Sequence, residues 1–176
     1  MVPLETFFTG LVILFGIIGA LRGWAKELLV CFSVILARFI EFVALVYVPV
    51  LSTSLQSLQQ SDPKTWFYVR LMIFGVIVSF GYATTILSPR LGARARKEKL
   101  QDSLLGIFLG GINGYLVVGM IWGFLHELGY AIWGISGPQT DAALKFLKYL
   151  PTDWLQGPSL FVAVAVAFAF VLIVFI

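Results

Sequence analysis

The chain has 176 residues, of which 60% are apolar by type and only 12% charged, against about 25% charged in an average soluble domain. So few charges cannot coat a water-facing surface, which excludes a disordered chain, a fibrous repeat and an ordinary soluble enzyme. One cysteine, Cys31, allows no internal disulfide; one histidine, His126, allows no cysteine–histidine metal cluster; and the net charge of +3 is small enough that its distribution matters more than its sum.

Five stretches are long enough to cross a hydrocarbon core, which takes about 20 residues in a helix. The first, Thr6–Leu21, carries no charge. Glu5 stands where a signal peptide would be basic, and Gly19-Ala20-Leu21-Arg22 is a poor cleavage site, so a retained helix is expected. The second, Leu28–Val50, is apolar except for Arg38 and Glu41. The third runs from Trp66 to Leu87 with Arg70 near its start, and the fourth, Leu104–Leu125, is uncharged and rich in glycine. The fifth is Ser159–Ile176. Between the fourth and fifth, Asp141–Leu150 reads as a short helix capped by Asp141 and ended by Pro151. It either lies in the membrane interface between Trp133 and Trp154 or packs as a surface helix of an extramembrane cap. All backbone polar groups must pair within a spanning segment, so the fold class is all-α, a polytopic membrane bundle in a single domain.

Basic residues outside the spans are uneven. Arg22, Lys26, Arg90, Arg94, Arg96, Lys97 and Lys99 fall on one side of a five-span chain, against Lys64, Lys145 and Lys148 on the other. The positive-inside rule then places the N-terminus outside and the C-terminus in the cytoplasm. The run Arg90–Lys99 is explained by topology and lipid headgroups, and no interleaved aromatics point to nucleic acid.

Arg38 and Glu41 are the costly feature. Each charge at a helix centre costs about 2.5–3.5 kcal/mol, roughly 5–7 for the pair. The fifteen Leu, Ile, Val and Phe residues of the span return about 4.5–9 kcal/mol at most. The segment alone breaks even and needs neighbours. Spaced i, i+3, the two can pair on one face, and Glu27 lies on the same stripe, so the three are expected to face the bundle interior. That stripe is either a polar pathway or an ion pair that fixes packing. Gly106, Gly110 and Gly114 make two overlapping GxxxG units for close helix approach. Asn113, on that face, is expected to hydrogen-bond the Arg38–Glu41 pair. No HExxH, GxSxG or phosphate-binding loop is present, so no catalytic residue, metal or cofactor is expected. His126 reads as an interfacial side chain and Cys31 as a small core residue.

Two motifs read together add a resemblance. Leu21-Arg22-Gly23-Trp24-Ala25-Lys26-Glu27 follows a short first helix; Asp102-Ser103-Leu104-Leu105-Gly106, then Gly110 and Asn113-Gly114-Tyr115, opens the fourth. The chain resembles the colicin V production protein family of bacterial inner-membrane proteins over residues 5–125, leaving 126–158 as an interfacial loop and 159–176 as an extra span. On that resemblance Arg22, Gly23, Glu27, Asp102 and Gly106 are family-motif positions. Ser103 and Asn113 stand where the family often has arginine, and Arg38 and Glu41 where it is usually apolar. The resemblance implies a non-enzymatic protein that supports peptide-toxin production or export, or envelope homeostasis. Its expected partners are the lipid bilayer and a second copy or an export-machinery component, with no nucleic acid. The alternative is a small oligomeric transporter or channel using an Arg38–Glu41–Asn113 site.

Overall fold

The computed structural model describes residues 3–87 and 99–175, and among these the regular elements are all helices. They are α1 (Leu4–Arg22), α2 (Trp24–Val46), α3 (Pro49–Ser61), α4 (Pro63–Leu87), α5 (Lys99–Glu127), α6 (Asp141–Leu147), α7 (Pro151–Trp154) and α8 (Gly157–Phe175). Four of them, α1, α2, α4 and α5, are long and apolar enough to cross a membrane. A bent pair, in which Asp141–Trp154 meets Gly157–Ile173 at 61°, forms either a broken fifth span or a re-entrant loop.

Neighbouring long helices run in opposite directions, except α2 and α5, which run parallel. Gly19 of α1 lies against Gly106 and Gly110 of α5, while Phe8, near the other end of α1, packs on Trp122 at 5.3 Å. Ser33 of α2 approaches Gly81 of α4, and Glu41 pairs with Arg70 nearer the start of α4. Phe39 and Phe42 of α2 meet Phe161 of α8, and Phe32 meets Phe170. The bundle therefore has a first face, where α1 begins and α2 and α5 end, and a second face, where α1 ends and α2 and α5 begin.

The expected glycine contact forms, and its partner is α1. A Cβ on Gly110 would lie 2.9 Å from the Gly19 Cα, and one on Gly114 2.9 Å from the Val12 Cα. Backbones at that distance leave room for nothing larger than hydrogen, the requirement that GxxxG spacing meets. Two further α5 glycines, Gly119 and Gly123, receive Pro151 and Thr152 of α7.

Boundaries shift at prolines. The second hydrophobic stretch does not run to Val50: it stops at Val46, and Pro49 occupies the first turn of a separate helix, α3. The serine- and glutamine-rich link is thus helical, although no residue of α3 is buried. Pro151 likewise opens α7 rather than closing the preceding helix, since proline suits a first turn where no N–H partner is needed. The cap of α6 is Thr140, whose Oγ1 accepts from the Ala143 amide at 3.1 Å, and not Asp141. This region is wedged into α5, with Leu150, Pro151 and Leu155 fully buried and Tyr149 and Trp154 outward. Of the basic run Arg90–Lys99, only Lys99 lies within the described residues.

Candidate functional site

The polar residues of the interior form two layers, not one. The layer toward the second face is built where the two sequence motifs meet. Gly23 ends α1 and starts α2 with φ +85°, a backbone that L side chains rarely adopt. A Cβ there would also fall 2.7 Å from both Asp102 carboxylate oxygens. The corner is this tight because Asp102, at the start of α5, accepts from the Trp24 amide at 3.1 Å. A carboxylate from another helix thus satisfies one of the unpaired N–H groups at the head of α2, where the helix dipole favours negative charge. Beside it Ser103 Oγ donates to the Ala20 carbonyl at 3.1 Å, tying α5 to the end of α1.

One turn further along α2, Glu27 is 0% exposed. Arg22 Nη1 donates to its Oε1 at 2.5 Å, and Asn113 Nδ2 donates to its Oε2 at 2.8 Å and to its backbone carbonyl at 2.7 Å. Asn113 is also 0% exposed. The Arg22 guanidinium sits 4.3 Å from the centre of the Tyr82 ring on α4, so the layer joins α1, α2, α4 and α5. Arg22, Gly23, Glu27, Asp102 and Gly106 are therefore brought into one neighbourhood, and Asn113 belongs with them.

Asn113 does not reach Arg38 or Glu41, against the sequence-based expectation. Glu27 and Arg38 share a stripe, but eleven residues at 1.5 Å separate them by about 17 Å along the helix, and Asn113 is level with Glu27. The reason is register: α5 begins well before its hydrophobic run, at Lys99, so its midpoint matches the start of α2.

The layer toward the first face is a chain of four charges. Arg38 Nη1 donates to Glu41 Oε2 at 2.9 Å, as the i, i+3 spacing predicts, and Arg38 Nε donates to the Leu155 carbonyl at 3.3 Å. Glu41 Oε1 pairs with Arg70 Nε at 2.5 Å, and Arg70 Nη1 pairs with Glu127. The Arg70 guanidinium also lies 3.9 Å from the centre of the Phe124 ring. Two guanidinium and two carboxylate groups leave no net charge. Arg70 and Glu127 were not among the residues singled out from sequence, since one stood near a span start and the other just beyond a span end. A usable signal exists: Glu27 and Glu41 are fourteen residues apart on α2, and so are Asn113 and Glu127 on α5. Fourteen residues are close to four full turns, which puts each pair on one face about 21 Å apart.

Between the layers the interior is apolar apart from Ser33, whose hydroxyl donates to the Val30 carbonyl at 2.7 Å. Val30, Val34, Ala37, Phe74, Val78, Leu116 and Met120 are all buried there. Cys31 packs against this core, as expected for a small apolar side chain. His126 is exposed at the first face, with Nδ1 3.2 Å from the Tyr130 hydroxyl. Among the described residues no three of His, Cys, Asp and Glu are grouped to hold a metal.

A family model described as Colicin V production protein matches residues 4–134. The match spans α1 to α5 and holds every residue of both polar layers apart from the Leu155 carbonyl. No curated protein and no solved structure matches the chain. With most of its length covered by that one model and its long helices apolar enough to span a bilayer, this chain is an integral membrane protein that belongs to the colicin V production protein family.

Proposed function

We propose that the protein performs no chemistry of its own and acts in the bacterial inner membrane by holding partners. On this reading it supports the production or export of a peptide toxin, or maintenance of the envelope. The observation that carries this is the internal neutralisation of the interior charges. Arg22 answers Glu27, Arg38 and Arg70 answer Glu41 and Glu127, and the apolar layer between the two groups is packed with side chains. Such a bundle presents a fixed shape to neighbours, and its buried pairs specify one helix arrangement. Partners meet it at its faces. The first face offers a recess of about 670 Å³ bounded by Glu5, Phe7 and the Gly134–Thr140 segment.

We place the second face in the cytoplasm. Arg22, Lys26 and Lys99 stand on that side, which by the positive-inside rule puts the N-terminus outside and the C-terminus inside. The second reading, a small oligomeric transporter or channel, draws on one observation: four ionised side chains extend inward from the first face, and charges in spanning segments often mark solute paths.

Purification in mild detergent with intact-assembly mass measurement separates the two. The scaffold reading expects a stoichiometric companion protein and silent reconstituted vesicles. Ion or proton flux through vesicles holding this chain alone, lost in Arg38→Leu, would replace it with the transporter reading.

A further inference from the structure

We infer that the recess at the first face is a docking groove for an extended peptide segment that carries a cationic side chain. The inference rests on the reading above that partners meet the bundle at its faces, and it names what such a partner presents. The recess encloses about 670 Å³ between the start of α1 and residues 134–140, within the range of about 300–1,000 Å³ common to ligand sites. Its wall is fixed at both ends. Tyr130 lies over Gly137, where a Cβ would fall 2.9 Å from the ring, and the Tyr130 hydroxyl accepts from Trp122 Nε1 at 3.1 Å. At the other end Thr140 caps α6 and donates from Oγ1 to Glu5 Oε1 at 2.9 Å. Between these anchors the backbone N–H groups of Ser136, Gly137 and Gln139 make no hydrogen bond among the described residues, and neither do the carbonyls of the same three. Water satisfies such groups while the groove is open, and an extended peptide can replace it bond for bond, as in strand addition. A wall already held in place also spares the complex the cost of ordering it.

The rest of the lining selects the kind of peptide. Leu4, Phe7 and Ile135 give the groove an apolar surface, and Phe7 is 58% exposed. Among the described residues Glu5 is the one charged side chain on the walls. It forms no ion pair there, whereas Glu27, Glu41 and Glu127 each have an arginine. The Thr140 hydroxyl nevertheless holds the Glu5 carboxylate in position. A lysine or arginine of the incoming segment supplies the missing counterion, while an anionic group in its place is repelled.

The test uses the full chain in phosphatidylcholine nanodiscs and a fluorescent hexapeptide of alternating valine and lysine with blocked ends, read by anisotropy. Binding should saturate and exceed that to empty nanodiscs. Glu5→Gln keeps an oxygen for the Thr140 hydroxyl and removes the charge, so it should weaken binding about fivefold, the scale of a partly exposed ion pair. Two further probes leave the protein unaltered: the peptide with glutamate for lysine, and the peptide with every amide N-methylated. Neither should bind better than to empty nanodiscs. An affinity indifferent to N-methylation would overturn the backbone pairing, and one indifferent to Glu5→Gln the cation site. Uptake equal to that of empty nanodiscs, or binding lost when phosphatidylethanolamine replaces the phosphatidylcholine, would give the groove to lipid and sink the proposal. A companion protein that copurifies with a chain unable to take up the peptide would sink the groove alone and leave the scaffold reading standing.

Discussion

Arg22 and Glu27 allow a test in which the order of damage matters more than its size. Glu27 is 0% exposed, while the Arg22 side chain is 18% exposed near the second face. Arg22→Ala leaves a carboxylate with no cation inside the bundle, a change that costs about 3–5 kcal/mol. Glu27→Gln removes the charge but keeps an oxygen able to accept from Asn113, and Arg22 can turn toward water or headgroups. That variant should lose only about 1–2 kcal/mol, the scale of weakened charged hydrogen bonds. The double variant Arg22→Ala/Glu27→Gln has no buried charge left, so it should melt close to Glu27→Gln and above Arg22→Ala. For a chain of this size each kcal/mol shifts the midpoint by about 2–4 °C, which separates the two single variants by at least a few degrees. Thermal melting in mild detergent, read by the fraction that still elutes as a folded peak, is sufficient. If the two losses simply add in the double variant, or if Glu27→Gln is the more harmful change, the buried-charge argument is wrong.

Other expectations follow from neighbouring features. Gly106→Ala would drive a Cβ into the Gly19 backbone, whereas at Gly111 a Cβ meets nothing within 4 Å; the first should lose about 1–3 kcal/mol and the second stay neutral or gain slightly through helix propensity, as melting will show. Arg70→Leu should cost about 1.5–3 kcal/mol, the scale of a lost interaction with a charged group, because Glu41 keeps Arg38 as its cation, and Glu127→Gln, at a site with 44% of its side chain exposed, should cost under about 1 kcal/mol. Asp62 caps the start of α4, accepting from Thr65 Oγ1 at 2.6 Å and from its amide at 3.2 Å. The Thr65 hydroxyl bond chiefly holds the Asp62 carboxyl below its ordinary value of 3.8, so the ionised cap favours the helix above that value and is lost as pH falls through the lowered one. Protection of the Thr65 amide from hydrogen exchange should therefore be flat above about pH 4 and decline below it; a decline centred near neutrality would assign it to another group. Reporter tags at both ends should find the N-terminus outside; a cytoplasmic N-terminus would invert the proposed topology.

Hydrophobicity alone located the long helices because lipid imposes one strict demand, that an apolar run hide its own backbone. The same demand is silent on α3, whose serines and glutamines carry little apolar signal and whose start depends on Pro49. Pairings local to one helix were readable, as Arg38 with Glu41 illustrates. The Gly106, Gly110 and Gly114 face was readable as a contact, but nothing in its spacing named α1 as the partner. Asn113 was assigned to the wrong carboxylate for a related cause. A hydrophobic run shows which residues are in the membrane, but the vertical offset between two helices depends on where each polar flank is held. Here α5 extends to Lys99 so that Asp102 can reach the α1–α2 corner, and that extension lowers Asn113 to Glu27. Arg70 and Glu127 lay at span margins, where a charge is unremarkable until a third helix brings them together.

The reach of Asp102 to the head of α2 bears on how the protein is made. The amide it satisfies lies 78 positions earlier in the chain, and Asn113 likewise comes 86 positions after the carboxylate it secures. The opening hairpin must therefore wait in the bilayer, its turn open and its acid only half answered, until the later helix is threaded beside it. Nascent chains halted before residue 99 should be held by the insertion machinery or cleared by quality control. Release should come once the α5 glycines have closed on α1, making this helix the latch of assembly.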